Sequence, residues 1–275
     1  MAETSTNKET HDVVVLNVNG AKSNAGSNIF VSVPFLQKLV AELVGTYFLI
    51  FIGGASVIVN ANNENMVTLP GICMVWGLLV MGLVYTVGHI SGAHFNPAVT
   101  LAFASIKRFP LKQVPAYILI QVVGSTLASV TLRLVFTGKH DHFIGTLLSG
   151  SYLQGFVVEF LVTFYLMFVI SGVATDSRAI DELAGLVVGA TVMINSLTAG
   201  LVTGASMNPA RTLGPAIAWH EYRGIWVYMI APVAGAVVGA WVYNIMRHTN
   251  KSSIHEITKS TSFLKGSSSS SCGAK

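Results

Sequence analysis

Charged side chains are scarce in this sequence. Asp, Glu, Lys and Arg make up 10% of its 275 residues, against about 25% in an ordinary soluble domain. That supply cannot wet a whole surface, so a water-soluble globule is excluded in favour of a chain solvated by lipid. Cysteine is scarcer still. Cys73 lies in an apolar run and Cys272 near the C-terminus, which gives neither a disulfide framework nor metal-ligand spacing. The eight histidines are scattered, and no cofactor or metal is implied. There is no GxSxG, no HExxH, no phosphate loop and no Ser–His–Asp set, so an enzyme is not expected. The net charge of +4 comes from dispersed basic residues that flank apolar stretches, which is not the clustered footprint of a nucleic-acid binder. The first 32 or so residues are polar, rich in Asn, Ser and Thr, and lack the apolar core of a signal peptide. They read as a retained tail.

What is present is hydrophobic length. A bilayer core of about 30 Å needs roughly 20 apolar residues at ~1.5 Å rise each. Six stretches qualify, at about 38–59, 70–90, 114–136, 155–175, 183–201 and 225–246. An even number of spans puts both ends of the chain on one side. The segments on that side hold Lys38, Lys107, Arg108, Lys112, Arg178, Arg247 and the basic residues of both tails, while the opposite loops hold only Lys139, Arg211 and Arg223. The excess of positive charge makes the terminal side cytoplasmic. The expected organisation is a cytoplasmic N-terminal tail at 1–34, a membrane domain at 35–248 and a cytoplasmic C-terminal tail at 249–275.

The membrane domain repeats itself. SGAHFNPAVT at 91–100 and TGASMNPART at 203–212 are identical at six of ten positions. Glu42, Thr46, Leu49 and Phe51 of the first span fall opposite Glu159, Thr163, Leu166 and Phe168 of the fourth. Tyr117, Val122 and Gly124 of the third fall opposite Tyr228, Val233 and Gly235 of the sixth. Repeat one covers about 35–136 and repeat two about 152–248. Each holds three spans, an odd number, so the second copy enters the membrane from the other face and the repeat is inverted.

Each repeat carries an Asn-Pro-Ala box: Asn96, Pro97 and Ala98, then Asn208, Pro209 and Ala210. Asn caps helix N-termini, and Pro suits the first helical position because its missing N–H is not needed there. The boxes therefore predict short helices at about 97–106 and 209–218, each crossing about half a bilayer. Loop backbone cannot face lipid, so these segments must be enclosed by the six spans and line a cavity. With each Asn oxygen capping its own helix, its NH2 group is aimed into the lumen. Two helix N-termini there add positive potential, which repels cations and lets neutral dipoles pass. Arg211 replaces the apolar Val99 of the first copy, and an Arg at membrane depth marks a solute pathway. Passive conduction of small uncharged solutes follows.

Glu42 and Glu159 are carboxylates inside apolar spans. A proton-coupled transporter would use them as relays. Their symmetric placement points instead to each accepting N–H groups from the loop that precedes a short helix. His89 and His94 flank the first loop and are expected to support it by packing or by a hydrogen bond to a carbonyl. A scaffold or junction protein that had kept the channel architecture would share all these features and conduct nothing.

On these motifs the sequence resembles the aquaporin, or major intrinsic protein, family over about residues 35–248. PGICMVWGLLVM at 70–81, GHISGAHFNPAVT at 88–100, FVISGVATDSRA at 168–179 and TSFLKG at 261–266 resemble the plant nodulin-26-like intrinsic proteins in particular. The resemblance implies an all-α, right-handed bundle of six transmembrane helices with two re-entrant half-helices, assembled as a homotetramer. It implies a constriction at Trp76, Ser196, Ala205 and Arg211, of the glycerol-permeable kind. Ser196 departs from the aliphatic residue usual there, which leaves glycerol, water, urea, ammonia, lactic acid, boric acid, arsenite and hydrogen peroxide as candidate solutes. It implies a plant membrane, the plasma membrane first, with the endoplasmic reticulum or symbiosome membrane as alternatives. The tail segment from Ile257 to Ser262 resembles a calcium-dependent protein kinase site with Ser262 as acceptor.

Overall fold

The computed structural model describes residues 32–136 and 142–247. Both tails, Ser262 included, and residues 137–141 lie outside the described residues. The described chain is all-helical. The first half contributes α1 (Val33–Asn62), α2 (Thr68–Ser91), α3 (Pro97–Ser105) and α4 (Val114–Val135). The second half contributes α5 (Tyr152–Thr175), α6 (Ala184–Thr203), α7 (Pro209–Trp219) and α8 (Ile225–Met246). All but α3 and α7 are long and apolar enough to cross a membrane.

Two spans exceed their apolar cores. α1 runs over 30 residues because Pro34 opens it and because Asn60 to Asn62 extend it past the last apolar turn, until Asn65 N–H reaches back to the Asn60 carbonyl. α5 starts at Tyr152 because the Ser151 hydroxyl caps it, accepting from Gln154 N at 3.2 Å. Hydropathy alone misses such polar extensions, which helix geometry and capping decide.

The halves interlock. Within each half the first helix packs along the last, α1 on α4 and α5 on α8, while α2 of one half lies against α6 of the other. The half-helices cross over: α3 packs chiefly on α8, and α7 on α4. In lipid there is no hydrophobic drive between helices, so close packing supplies the cohesion. The outward faces carry large apolar side chains such as Val40, Phe48, Leu127, Leu161 and Trp241, as a lipid-solvated surface requires. The small residues inside include Gly235 and Gly239, where an added Cβ would meet the Phe160 and Phe164 carbonyls of α5 at 2.2 and 2.4 Å.

Gly92 and Gly204 end α2 and α6 at φ +90° and +77°, the left-handed conformation that glycine adopts without strain. They turn the chain back into the bundle and begin the loops of the functional site.

Candidate functional site

Each short helix is capped as its Asn-Pro-Ala box dictates. Asn96 Oδ1 accepts from Ala98 N at 2.8 Å. Asn208 Oδ1 accepts from Ala210 N at 2.9 Å and from Arg211 N at 3.3 Å. The side-chain NH2 groups do something the sequence did not disclose. Asn96 Nδ2 donates to the Met207 carbonyl at 2.7 Å, and Asn208 Nδ2 donates to the Phe95 carbonyl at 2.8 Å. Each box thus holds the loop of the other half. One N–H of each amide is consumed in this exchange, so one, not two, remains to face the lumen.

The loops before the boxes are bent in matching fashion. Ala93 and Phe95 have φ of +48°, and Ala205 and Met207 have φ of +46° and +53°. Left-handed non-glycine residues cost on the order of 1–3 kcal/mol each, so the surroundings must fix them. Two buried carboxylates do so. Glu42, fully buried, accepts from Ser91 Oγ and His94 N through Oε1, and from Phe95 N and Gln121 Nε2 through Oε2, all at 2.7–2.9 Å. Glu159, equally buried, accepts from Thr203 Oγ1 and Ser206 N through Oε1, and from Met207 N through Oε2, at 2.6–2.8 Å. Tyr117 and Tyr228 complete the pattern, donating to the Ser91 and Thr203 carbonyls at 2.9 and 2.7 Å.

His89 does not share in this support. It is exposed in the last turn of α2, and no described residue hydrogen-bonds to it. It sits two residues before the α2 terminus, Ser91. His94 is the supporting histidine: it is buried, its Nδ1 lies 3.0 Å from Thr100 Oγ1, and its ring packs on Phe103, Phe109 and Tyr117. In the second half Ser206 and Thr212 replace this pair, with hydroxyls 2.6 Å apart.

The held loops border a cavity of about 300 Å³. It runs between the helices from Leu69 and Ile72, on the face opposite the chain ends, to Ala174 and Ala184, on the face that carries them. Asn96 and Asn208 both line it. So do Gly92, Ala93, His94, Gly204, Ala205 and Ser206, and no described group donates to the carbonyls of those six residues. The two loops thus bring six carbonyls without a described donor to residues that border the cavity. Apolar side chains such as Leu49, Val80, Val188 and Val192 line it as well.

Trp76, Ser196, Ala205 and Arg211 all line this cavity, each less than a tenth exposed. The Arg211 guanidinium carbon sits 4.7 Å from the Trp76 ring centroid. Its Nη1 is buried and has no hydrogen-bond partner among the described residues. A buried orphan donor costs about 1–3 kcal/mol. Among the described residues no cluster of His, Cys, Asp or Glu could hold a metal ion.

The family model described as Major intrinsic protein matches residues 29–243. This chain belongs to the major intrinsic protein family. Curated relatives narrow the membership. Nodulin-26 of Glycine max is 61% identical over 271 residues, covering 98% of this chain and all of that protein. Aquaporin NIP1-2 of Arabidopsis thaliana is 66% identical over 246 residues, 87% of this chain and 83% of that protein. Among solved structures, the aquaglyceroporin from Plasmodium falciparum matches with a TM-score of 0.69 at 28% identity, over 76% of this chain and 95% of that one. The chain is thus a nodulin-26-like aquaporin, a multi-pass membrane channel for small neutral solutes and not an enzyme.

One working part of this aquaporin carries no motif of its own: Gln121 is an ordinary polar residue in sequence, outside both Asn-Pro-Ala segments. The repeat alignment pairs Tyr117 with Tyr228, and Ser91 and Thr100 with Thr203 and Thr212, the signal by which this buried polar frame could have been found.

Proposed function

We propose that this channel conducts glycerol and water, with Trp76, Ser196, Ala205 and Arg211 as its constriction. The observation that carries this reading is the pairing of an apolar indole with a guanidinium 4.7 Å from its centroid, both on residues that line one cavity. A polyol is amphipathic in the same sense: carbon on one edge, hydroxyls on the other. Trp76 offers its flat apolar surface to the carbons, and Arg211 donates to the hydroxyl oxygens. Ala205 leaves room, and the Ser196 hydroxyl adds a polar point that favours small solutes with several oxygens, boric acid and urea among them. Beyond the constriction the solute donates its hydroxyls to the carbonyls of the two loops and meets the remaining N–H of Asn96 and Asn208.

Ion exclusion follows from the same parts. Each half-helix N-terminus carries about half a positive charge, and both meet near the two asparagines. Arg211 adds a full charge, and a cation that leaves water there meets this positive potential. Glu42 and Glu159 are occupied by loop N–H and hydroxyl donors, which supports a fixed frame over a proton relay.

Stopped-flow light scattering on proteoliposomes tests the proposal, with water and glycerol measured side by side. Fast, non-saturating glycerol entry with a low activation energy is the expected result. Water flux without glycerol flux would refute the constriction as assigned.

Three further readings belong here. The basic residues favour cytoplasmic chain ends, on the plasma membrane of a plant cell. The apolar outer faces are compatible with a homotetramer, each subunit carrying its own pore. Phosphorylation of Ser262 by a calcium-dependent kinase would place negative charge beside Lys259 and Lys265, and a Ser262→Ala chain that still takes up phosphate in the tail would refute that site.

A further inference from the structure

Trp76 does not stand on its own helix alone. The six-membered edge of its indole rests on Gly53 of α1, where an added Cβ would lie 2.5, 2.6 and 2.7 Å from Cζ2, Cη2 and Cε2. Carbon atoms prefer separations of about 3.5–4.0 Å, so even one methyl group there must move the ring by roughly an ångström. The direction of that movement is set by the packing. Gly53 blocks retreat toward α1, and the Arg211 guanidinium lies over the ring. The open side is the cavity that Trp76 lines. The Gly53 backbone has little freedom to yield, since it lies within α1 and its carbonyl also accepts from Ser56 Oγ at 2.6 Å.

The neighbouring glycine shows why Gly53 differs. A Cβ on Gly54 would meet Ile144 Cδ1 and Leu132 Cδ1 at 2.6 and 2.7 Å. Those are rotatable ends of aliphatic chains that can swing aside. The indole is rigid and can only translate or tilt as a body.

We propose that Gly53 is a specificity-positioning residue: it seats Trp76 against α1 and so sets the width of the constriction. The inference rests on the assignment of Trp76 to that constriction. The absence of a side chain on α1 leaves the indole withdrawn, and the gap so kept is what passes a carbon chain as well as water. A chain with any side chain at this position would carry its Trp76 further into the lumen and discriminate against glycerol more strongly than against water.

The experiment measures the ratio of glycerol to water permeability in proteoliposomes for four chains beside the native one. Gly53→Ala is expected to lower the ratio about tenfold, the scale on which one methylene is discriminated in a tight pocket. Trp76→Phe, with a smaller ring, is expected to raise it. The double variant Gly53→Ala/Trp76→Phe is expected to fall below Trp76→Phe alone, back toward the native ratio, because the added methyl presses the smaller ring toward the lumen as well. Gly82→Ala, on α2 with nothing within 4 Å of the added atom, is expected to leave the ratio unchanged and controls for general effects of glycine replacement.

A Gly53→Ala ratio equal to the native one overturns the proposal. Should Gly53→Ala not insert into vesicles, the double variant decides. Insertion with a ratio below that of Trp76→Phe upholds the seat. A ratio equal to that of Trp76→Phe, or failure of the double variant to insert, overturns it. If Trp76→Phe alone leaves the ratio at its native value, the constriction assignment itself has failed, an outcome distinct from failure of Gly53.

Discussion

Gly77 of α2 and Gly189 of α6 face each other backbone to backbone at the junction of the two halves. A Cβ on Gly77 would lie 2.6 Å from the Gly189 carbonyl oxygen, and a Cβ on Gly189 would lie 2.5 Å from the Gly77 carbonyl oxygen. The next neighbours are reciprocal as well, Met193 for Gly77 and Met81 for Gly189. Both pairs are related by the repeat spacing of 112, the offset of the Asn-Pro-Ala boxes. This contact sits on the pseudo-twofold axis, and backbone atoms on both sides cannot give way as side chains do.

Gly77→Ala and Gly189→Ala should therefore each destabilise the bundle by about 1–3 kcal/mol, the usual range for overpacking. Because the two methyls would compete for one gap, the double variant should cost more than the sum of the singles. Thermal unfolding in detergent, followed by helical circular dichroism, measures this. Additive or negligible losses would place the axis elsewhere.

Arg211→Val restores the residue type of the first repeat and removes the one full charge that the described residues place on the cavity wall. The expected result is a measurable proton or cation leak with water permeability retained. The check is pH-gradient decay in vesicles carrying an internal fluorescent pH dye. A channel as proton-tight as the native one would assign exclusion to the half-helix termini alone.

Trp76→Ala removes the indole face and widens the passage. Glycerol entry should rise, and polyols longer than glycerol should begin to pass. Swelling assays over a polyol series measure the cut-off, and an unchanged cut-off counts against Trp76 as part of the constriction.

Glu42→Gln keeps shape but turns one acceptor oxygen into a donor that faces a donor. At least one of the bonds from Ser91, His94, Phe95 or Gln121 is lost. An unsatisfied buried group costs about 1–3 kcal/mol, and the left-handed Phe95 loses part of what holds it. Stability should fall and water flux with it. Full flux in Glu42→Gln would show that the loop keeps its shape without the carboxylate.

Asp176 caps the C-terminal end of α5 and is buried. Arg178 donates to it through Nε at 2.9 Å and Nη2 at 2.7 Å, and Tyr243 donates at 3.0 Å. The Arg178 hydrogen bonds hold its carboxyl well below the usual carboxylate range, against the opposing effect of burial. Arg247, just past the end of α8, donates to the Thr175 hydroxyl at 3.0 Å and to the Thr175 carbonyl. Since the folded value lies below the unfolded one, the stability it contributes is complete above about pH 4 and is lost as pH falls through the folded value. Thermal stability of Asp176→Asn should thus trail the native protein by a constant margin from about pH 5 to 8, and the margin should narrow only in stronger acid. A margin that varies within the neutral range would mean that another group titrates there.

The spans, the duplication and the two capped half-helices were legible because each is a local rule written in consecutive residues: apolar length, repeated motif, Asn before Pro. Arg211 was legible because the repeat supplies its own comparison in Val99. The exchange in which Asn96 and Asn208 hold each other's loops was not, because it joins residues 111 and 113 positions apart. Nor was the identity of the supporting histidine, since His89 and His94 differ only in which side of the left-handed turn at Gly92 they fall. The seat of Trp76 on Gly53 has the same character, a close approach between two helices that no property of either residue announces. Sequence by itself determined which segments enter the membrane and where the short helices begin, since those follow from solvation and capping of the chain's own backbone. Only the tertiary structure decided how wide the constriction is and what holds it, since those depend on distances between elements that packing alone sets.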